Sequence, residues 1–197
     1  MPYKKLGVLV ETPSPEGGRW LAPPFSPVDA AGLYRAFVAD FLVRVSRLKK
    51  TAVTVFHVGP DAEAIRALAP PGIATVQQDG ATLGGRLDHA FSALLDGGSS
   101  PACVVFPNGP DLPLVFVKRA FVRLKHKDMV LGPCTGGGLY LAGLGKPVPD
   151  VFREVEAGAV SSFRGAVGGA ASRGLSLALL PPWYEVGGAE ALSFLET

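Results

Sequence analysis

Apolar residues follow two alternating patterns along this chain. Short continuous apolar runs, such as residues 6–10 and 102–106, indicate strands that are covered on both faces. Longer segments carry apolar residues three or four positions apart, which is the spacing of a helix with one buried face. The runs predict strands at 6–10, 52–58, 73–76, 102–106, 129–131, 139–144 and 175–180. The spaced segments predict helices at 62–68, 83–95, 114–124, 161–172 and 189–195, after a first helix that begins near residue 27.

The alternation of these strands and helices predicts an α/β fold. Connections of this kind build mostly parallel sheets with helices on both faces. We therefore expect a three-layer α/β/α arrangement around a mostly parallel mixed sheet. The chain has 197 residues, about the size of one such domain. No repeat, low-complexity tract or linker divides the sequence, so residues 1–197 are expected to form a single domain.

The start of the first helix is the clearest local signal in the sequence. Ser26, Pro27 and Asp29 occupy the positions of a helix cap, the first helical residue and an acid in the first turn. Lys49 and Lys50 suit the other end, because cations favour the negative end of the helix dipole. A short helix after residue 61 is expected to be capped in the same way by Asp61.

Composition and charge exclude several classes of function. The apolar content of 48% and the charged content of 18% are those of a globular protein. A net charge of +2 gives no argument for binding nucleic acid or an anionic membrane. The two cysteines, Cys103 and Cys134, fit a reduced compartment and suggest no metal-ligand cluster. Because the apolar run at 6–10 is too short for a signal-peptide core, the sequence predicts a soluble cytoplasmic protein.

Candidate chemistry is concentrated in the segment from Val104 to Pro113, which joins a predicted strand to a helix start. In open α/β sheets such turns form the crevice where ligands bind, and an acid there could hold a divalent cation against a diphosphate. The first polar residue after the strand is the amide Asn108, and the only acid is Asp111. Asp111 also has a simpler interpretation as a helix cap, since aspartate is a preferred N-cap and proline suits the first turn.

Two glycine-rich segments could contact an anionic ligand. Gly137 and Gly138 follow Gly136, and consecutive glycines expose backbone N–H groups that can surround an anion. The simpler interpretation is a turn between two strands, for which glycine supplies positive φ. Arg86 follows two glycines at a predicted helix start, where N–H groups favour phosphate. A solvated first-turn arginine is the competing interpretation.

The order and spacing of several short motifs carry a family resemblance. The chain resembles a bacterial family of glycosyltransferase-like proteins with the GT-A fold. That family is related to the nucleotide-diphospho-sugar transferases and to the guanylyltransferases for phospholactate and molybdenum cofactor. The resemblance extends over nearly the whole chain. It rests on the motifs 21-LAPPFSP-27, 33-LYRAF-37, 83-LGGR-86, 110-PDLP-113, 132-GP-133, 137-GG-138, 140-YLAGL-144 and 180-LPPWYEV-186.

The chain departs from the family pattern at polar positions and keeps the apolar frame. Where the family usually has a basic run, only Arg19 remains, and Asn108 stands at the position of the family's acid. The resemblance implies a nucleoside-diphosphate sugar as donor and Mg²⁺ or Mn²⁺ held weakly, if at all. It implies catalytic roles for Asp111 and Glu185, metal binding by Asn108 and Asp111, and contacts with the donor by Arg19, Arg86, Gly137 and Gly138.

Three functions are compatible with this sequence. The first is a nucleotide-sugar transferase whose activity is weak or absent, because loss of carboxylates removes most of the charge stabilisation that a metal supplies. The second is a noncatalytic relative that binds a small molecule or a protein partner on the same scaffold. The third is a nucleotidyltransferase that acts on a small phosphorylated acceptor. A fold alone does not distinguish them.

Overall fold

The computed structural model of the chain describes residues 4–11, 21, 24–58, 62–97, 100–157 and 161–196. Arg19 and Asp61, to which the sequence assigns a phosphate contact and a helix cap, lie outside these ranges. The strands are β1 (Lys4–Val10), β2 (Thr51–His57), β3 (Ala74–Gln77), β4 (Ala102–Val105), β5 (Met129–Pro133), β6 (Leu139–Leu144) and β7 (Leu177–Leu179). The helices are α1 (Pro27–Ser46), α2 (Ala62–Leu68), α3 (Leu83–Leu95), α4 (Leu114–Arg123) and α5 (Ser162–Ser172), followed by a 3-10 helix at Ala189–Glu196.

The strands form one mixed sheet in the order β3-β2-β1-β4-β6-β5-β7. Strand β1 pairs in parallel with β2 and β4, and β2 pairs in parallel with β3. Strand β6 runs antiparallel to both of its neighbours, whereas β5 and β7 pair in parallel. The mostly parallel mixed sheet predicted from the sequence is therefore confirmed. The run at 6–10 lies in an interior strand, as its continuous apolar character requires.

Two hydrophobic cores cover the two faces of the sheet and confirm the three-layer prediction. Phe41 of α1, Ile65 of α2 and Val117 of α4 share one core with Val8. The other core contains buried side chains of α3 and α5 together with Leu9. Successive strand residues such as Val8 and Leu9 thus point to opposite cores, because side chains alternate along a strand. None of the helices in the described ranges combines the length and the apolar character needed to cross a bilayer.

The first helix begins as its sequence predicts. The side chain of Ser26 accepts a hydrogen bond from the backbone N–H of Asp29 at 3.2 Å, and Pro27 is the first helical residue. The cap satisfies one of the backbone donors that every helix start leaves without an intrahelical partner. Thr82 caps α3 in the same way and accepts from the N–H of Gly85 at 3.1 Å.

A layer of glycines allows α3 and α5 to approach the segment from Val151 to Val155. A Cβ atom at Gly84 would overlap the carbonyl oxygen of Phe152. On α5, a Cβ at Gly165 would overlap a carbonyl of the same segment, and so would one at Gly169. Gly165 and Gly169 are four residues apart and therefore lie on one face of the helix. Close packing against backbone thus explains two of the three glycines of α5.

A hydrogen-bonded pair fixes the starts of β5 and β7. The Asp128 carboxylate accepts from the Ser176 backbone N–H at 3.0 Å and from its hydroxyl at 2.7 Å. In return, the Asp128 N–H donates to the Ser176 carbonyl at 3.0 Å. The two hydrogen bonds from Ser176 lower the pKa of the Asp128 carboxyl. The charged form of Asp128 therefore stabilises the fold.

Replacement of Asp128 by asparagine should change the dependence of stability on pH. A carboxyl whose folded-state pKa is depressed stabilises the protein above its unfolded value, about pH 3.9, and loses this contribution as pH falls through the folded pKa. We expect Asp128→Asn to lower Tm at neutral pH and to lose this difference in acid. Scanning calorimetry over a pH series measures it, with Asp40→Asn on the exposed side of α1 as the control. Parallel Tm profiles for Asp128→Asn and the natural protein would contradict the assignment.

Candidate functional site

A cavity of about 500 Å³ opens at the edge of the sheet where β1 and β4 end. Its walls come from the ends of these strands, the helices α1, α3 and α5, the turn before β6 and the segment after β7. This is the edge at which open α/β sheets bind ligands. The polar and glycine residues that line it are Glu11, Tyr34, Gln78, Arg86, Asn108, Gly138, Ser162, Glu185 and Gly187.

Asn108 and Glu185 lie on the wall of this cavity although they are far apart in sequence. The backbone N–H of Val186 donates to the Asn108 carbonyl at 2.8 Å, which fixes the segment after β7 against the end of β4. Burial raises the pKa of the Glu185 carboxyl, and the nearby Cys134 thiol, which is 4% exposed, offsets part of this rise. The resemblance assigns a catalytic role to Glu185, and the structure places its partly buried carboxylate on the cavity wall.

Gly137 and Gly138 have different roles. Gly137 has a φ of 92° and its N–H donates to the Cys134 carbonyl at 3.0 Å, so it forms the turn between β5 and β6. The turn interpretation is correct for this residue, and its N–H is not available to an anion. Gly138 lines the cavity. A Cβ atom there would lie 2.7 Å from Oε1 of Glu185, so the absence of a side chain makes room for the carboxylate.

Asp111 does not join this site. The cap residue of α4 is Pro113, and no side chain caps the helix, so the prediction of Asp111 as the cap is wrong. Its carboxylate instead accepts from Nε1 of Trp183 at 3.4 Å, and Asp111 is absent from the cavity wall. The physical cause is the turn around it, which Arg44 of α1 holds by donating to the carbonyls of Pro110, Asp111 and Leu112.

Among the described residues, Arg86 is the one lysine or arginine on the cavity wall. Its side chain is 17% exposed, and Nη1 lies 3.8 Å from Oε1 of Glu11. The Nε atom is buried and has no hydrogen-bond partner in the described part of the chain. The preceding glycines do not open the helix start to a ligand as the sequence suggests. Gly84 donates to the Val155 carbonyl at 2.9 Å, and the N–H of Gly85 is used by the Thr82 cap.

Four polar residues of the cavity wall were not predicted from the sequence, namely Glu11, Tyr34, Gln78 and Ser162. Ser162 begins α5 and is 4% exposed, while the buried Tyr34 accepts from the Glu11 N–H at 3.0 Å. Burial raises the pKa of the Tyr34 hydroxyl. Gln78 donates to the Val10 and Phe56 carbonyls at 3.0 and 2.7 Å, and its Oε1 has no partner among the described residues. Its place one residue after β3 is the signal that could have identified it, because Asn108 follows β4 in a similar way.

Metal binding at this edge would depend on few protein ligands. Within the described ranges, no group of three or more histidine, cysteine, aspartate or glutamate side chains could hold a metal ion. The cavity offers the Glu185 carboxylate and the Asn108 amide oxygen together. Mg²⁺ is often held by one or two carboxylates plus the phosphates of a substrate. The pair therefore fits a cation that is bound mainly by its ligand.

Comparisons with known proteins identify the family and agree with the fold. A family model described as an uncharacterized protein conserved in bacteria (DUF2064) matches residues 41–159. The structure of a candidate nucleotide-diphospho-sugar transferase from Desulfovibrio desulfuricans G20 is 29% identical, with a TM-score of 0.85. That similarity covers 95% of this chain and 84% of the other. No curated protein matches the chain.

Two more distant structures share the fold alone. A 4-diphosphocytidyl-2C-methyl-D-erythritol synthase from Anaerococcus prevotii DSM 20548 is 11% identical over 98% of this chain and 97% of its own, with a TM-score of 0.65. A manganese complex of Rv0371c from Mycobacterium tuberculosis H37Rv is 14% identical over 97% of both chains, with a TM-score of 0.57.

Proposed function

Because the chain belongs to the DUF2064 family and has the fold of nucleotide-diphospho-sugar transferases, we propose that its cavity binds a nucleoside-diphosphate sugar. We further propose that its transferase activity is weak or absent. A volume of about 500 Å³ supports the first part, since small-molecule sites span about 300–1,000 Å³. The composition of the cavity wall supports the second part, that the transferase activity is weak or absent.

The observation that carries the proposal is that the cavity wall holds one partly buried carboxylate, Glu185, and an amide, Asn108. The sequence places a second carboxylate, Asp111, at the metal, but this side chain contacts Trp183 outside the cavity. The other carboxylate on the wall, Glu11, faces Arg86. A divalent cation bound here would neutralise the leaving diphosphate. With Glu185 and Asn108 as its protein ligands, such a cation would be held weakly.

The remaining polar side chains are suited to orient a ligand. Arg86 offers a buried Nε–H without a partner, and its guanidinium is the cationic group that can contact a diphosphate. Gln78 offers an Oε1 acceptor without a partner among the described residues, and the Ser162 hydroxyl adds a polar group at the start of α5. Few polar groups on a largely apolar wall are typical of small-molecule sites.

A thermal-shift panel tests the proposal. Nucleoside diphosphates and their sugars are added singly, with and without Mn²⁺ or Mg²⁺. A ligand at a hundred times its Kd stabilises the protein by about 2.7 kcal/mol, which is readily measured. We expect one nucleotide to raise Tm, with a small additional effect of metal, and little release of nucleoside diphosphate from the sugar donor.

The matched variants are Arg86→Gln on the cavity wall and Arg35→Gln on the exposed side of α1. Arg86→Gln should reduce the shift, and Arg35→Gln should leave it unchanged. If no nucleotide raises Tm, nucleotide binding is contradicted, and the hypothesis of a noncatalytic domain that binds another partner is favoured. Rapid metal-dependent turnover of the donor would contradict the weak-activity part of the proposal.

A further inference from the structure

A second hollow lies at the opposite edge of the sheet, where β1 and β2 begin. Its volume is about 260 Å³, and it opens between the end of α1 and the middle of α4. Four cationic side chains from three parts of the fold surround it. They are Lys4 at the start of β1, Arg47 and Lys49 after α1, and Lys118 on α4.

The charge of this hollow is not balanced by acidic side chains. No aspartate or glutamate lines it in the described part of the chain. The side chains of Arg47, Lys49 and Lys118 have neither an ion pair nor a hydrogen bond among the described residues. The Lys4 ammonium lies over the ring of Phe121 at 5.5 Å, a contact that holds the cation but leaves its charge uncompensated.

Apolar residues form a rigid floor beneath the cations. Leu48, Val117 and Phe121 are 8%, 0% and 3% exposed, and all three belong to one hydrophobic core. The cations are therefore attached to backbone that the core fixes in position. The negative end of the α1 dipole accounts for basic residues near its last turn. It does not account for Lys4 and Lys118, which come from other elements.

We propose that this hollow binds a compact oligophosphate, such as pyrophosphate or tripolyphosphate. Several cations around one opening attract a multivalent anion more strongly than a single charge would. Arginine and lysine are the side chains that bind phosphate, the first through paired N–H donors and the second as a point charge. A hollow of about 260 Å³ is smaller than most sites for drug-sized molecules, which favours a small anion over a complete nucleotide.

Amide NMR during titration with inorganic tripolyphosphate at low salt tests the proposal. We expect the largest shifts at residues 47–51 and 117–121, with affinity that falls steeply as salt is added. Removal of two of the four cations by Lys49→Gln with Lys118→Gln should weaken binding at least about tenfold, or 1.4 kcal/mol. All the substituted side chains are exposed, so folding should be unaffected.

The control is Lys125→Gln with Lys127→Gln, which removes two exposed cations from the segment just after α4, outside the hollow. Equal loss in both double variants would overturn the site, because it would show an unspecific effect of net charge. Shifts confined to Arg86 and its neighbours would also overturn it, since the anion would then occupy the nucleotide cavity.

Two further probes show whether the hollow recognises the phosphates alone and whether it instead contacts a membrane. A nucleoside triphosphate that binds no better than tripolyphosphate supports recognition of the phosphates alone. Vesicles containing anionic lipid provide the third arm of the experiment. If vesicles bind through Lys49 and Lys118 while tripolyphosphate does not, the proposal is wrong and the hollow is a membrane contact.

Discussion

Replacement of Gly169 by alanine is expected to destabilise the fold by about 3 kcal/mol. A Cβ atom at this position would overlap the Val151 carbonyl oxygen, which belongs to backbone and has no flexible side chain to move aside. Helix α5 would have to separate from the segment at 151–155, which lies between α5 and α3. The change is measured as the free energy of unfolding in urea, at constant m.

The adjacent glycine provides a matched control. Gly168 is exposed in the same helix, and nothing lies within 4 Å of a Cβ atom there. Alanine at an exposed helix interior should stabilise the protein by about 0.5–1 kcal/mol, because glycine has the greater freedom in the unfolded chain. Stabilisation by Gly168→Ala together with destabilisation by Gly169→Ala would confirm the contact between α5 and the Val151 carbonyl. Equal effects of Gly168→Ala and Gly169→Ala would show that α5 does not pack as described.

Replacement of Asn108 by aspartate is expected to raise the affinity for Mn²⁺ by at least about tenfold, which is 1.4 kcal/mol. The new carboxylate would share the cavity with Glu185 and so restore the pair of acids that a divalent cation prefers. Without metal, the two carboxylates repel each other, and burial already raises the pKa of Glu185. The variant should therefore be less stable than the natural protein at neutral pH, and Mn²⁺ should reverse this loss.

The sign of the pH dependence follows from the raised pKa. A carboxyl whose folded pKa lies above its unfolded value stabilises the fold in acid and loses this contribution as pH rises through the folded pKa. Without metal, the loss of stability that Asn108→Asp causes should therefore grow from acid to neutral pH. Calorimetric titration with Mn²⁺ and Tm with and without the ion measure both effects. Asp111→Asn is the control, because its carboxylate lies outside the cavity, and an equal response to that change would place the metal elsewhere.

Local signals in the sequence were sufficient to predict the elements and the fold class. The cap at Ser26 is formed as expected, and the helix at Leu83–Leu95 has the predicted bounds. The strand at 175–180 is shorter than predicted, at Leu177–Leu179, although Ser176 and Leu180 remain hydrogen-bonded to Asp128 and Leu131. The order of strands was beyond the sequence patterns, since it depends on pairings between residues that are far apart in the chain.

The site was predicted less completely for the same reason. Asp111 fits the local pattern of a helix cap, but Arg44 holds its turn in another conformation from 67 residues away. Glu185 becomes part of the cavity only because Val186 is bonded to Asn108. Ser162 is a single polar residue at the start of a helix, and no spacing distinguishes it from an ordinary surface position. A local sequence pattern indicates that polar residues lie at strand ends. The tertiary fold determines which of these side chains line the same cavity.

The composition of the cavity wall has a consequence for how the protein becomes competent to bind. The wall is formed by residues that span the chain from Leu9 to Gly187, and the Val186–Asn108 hydrogen bond closes it. During synthesis the chain emerges from the ribosome with its amino end first. Most of the sheet can therefore pair before the last part of the cavity wall is available. A ligand of this cavity, such as the nucleotide proposed above, would therefore bind only to molecules whose last segment, including Val186, has left the ribosome and folded.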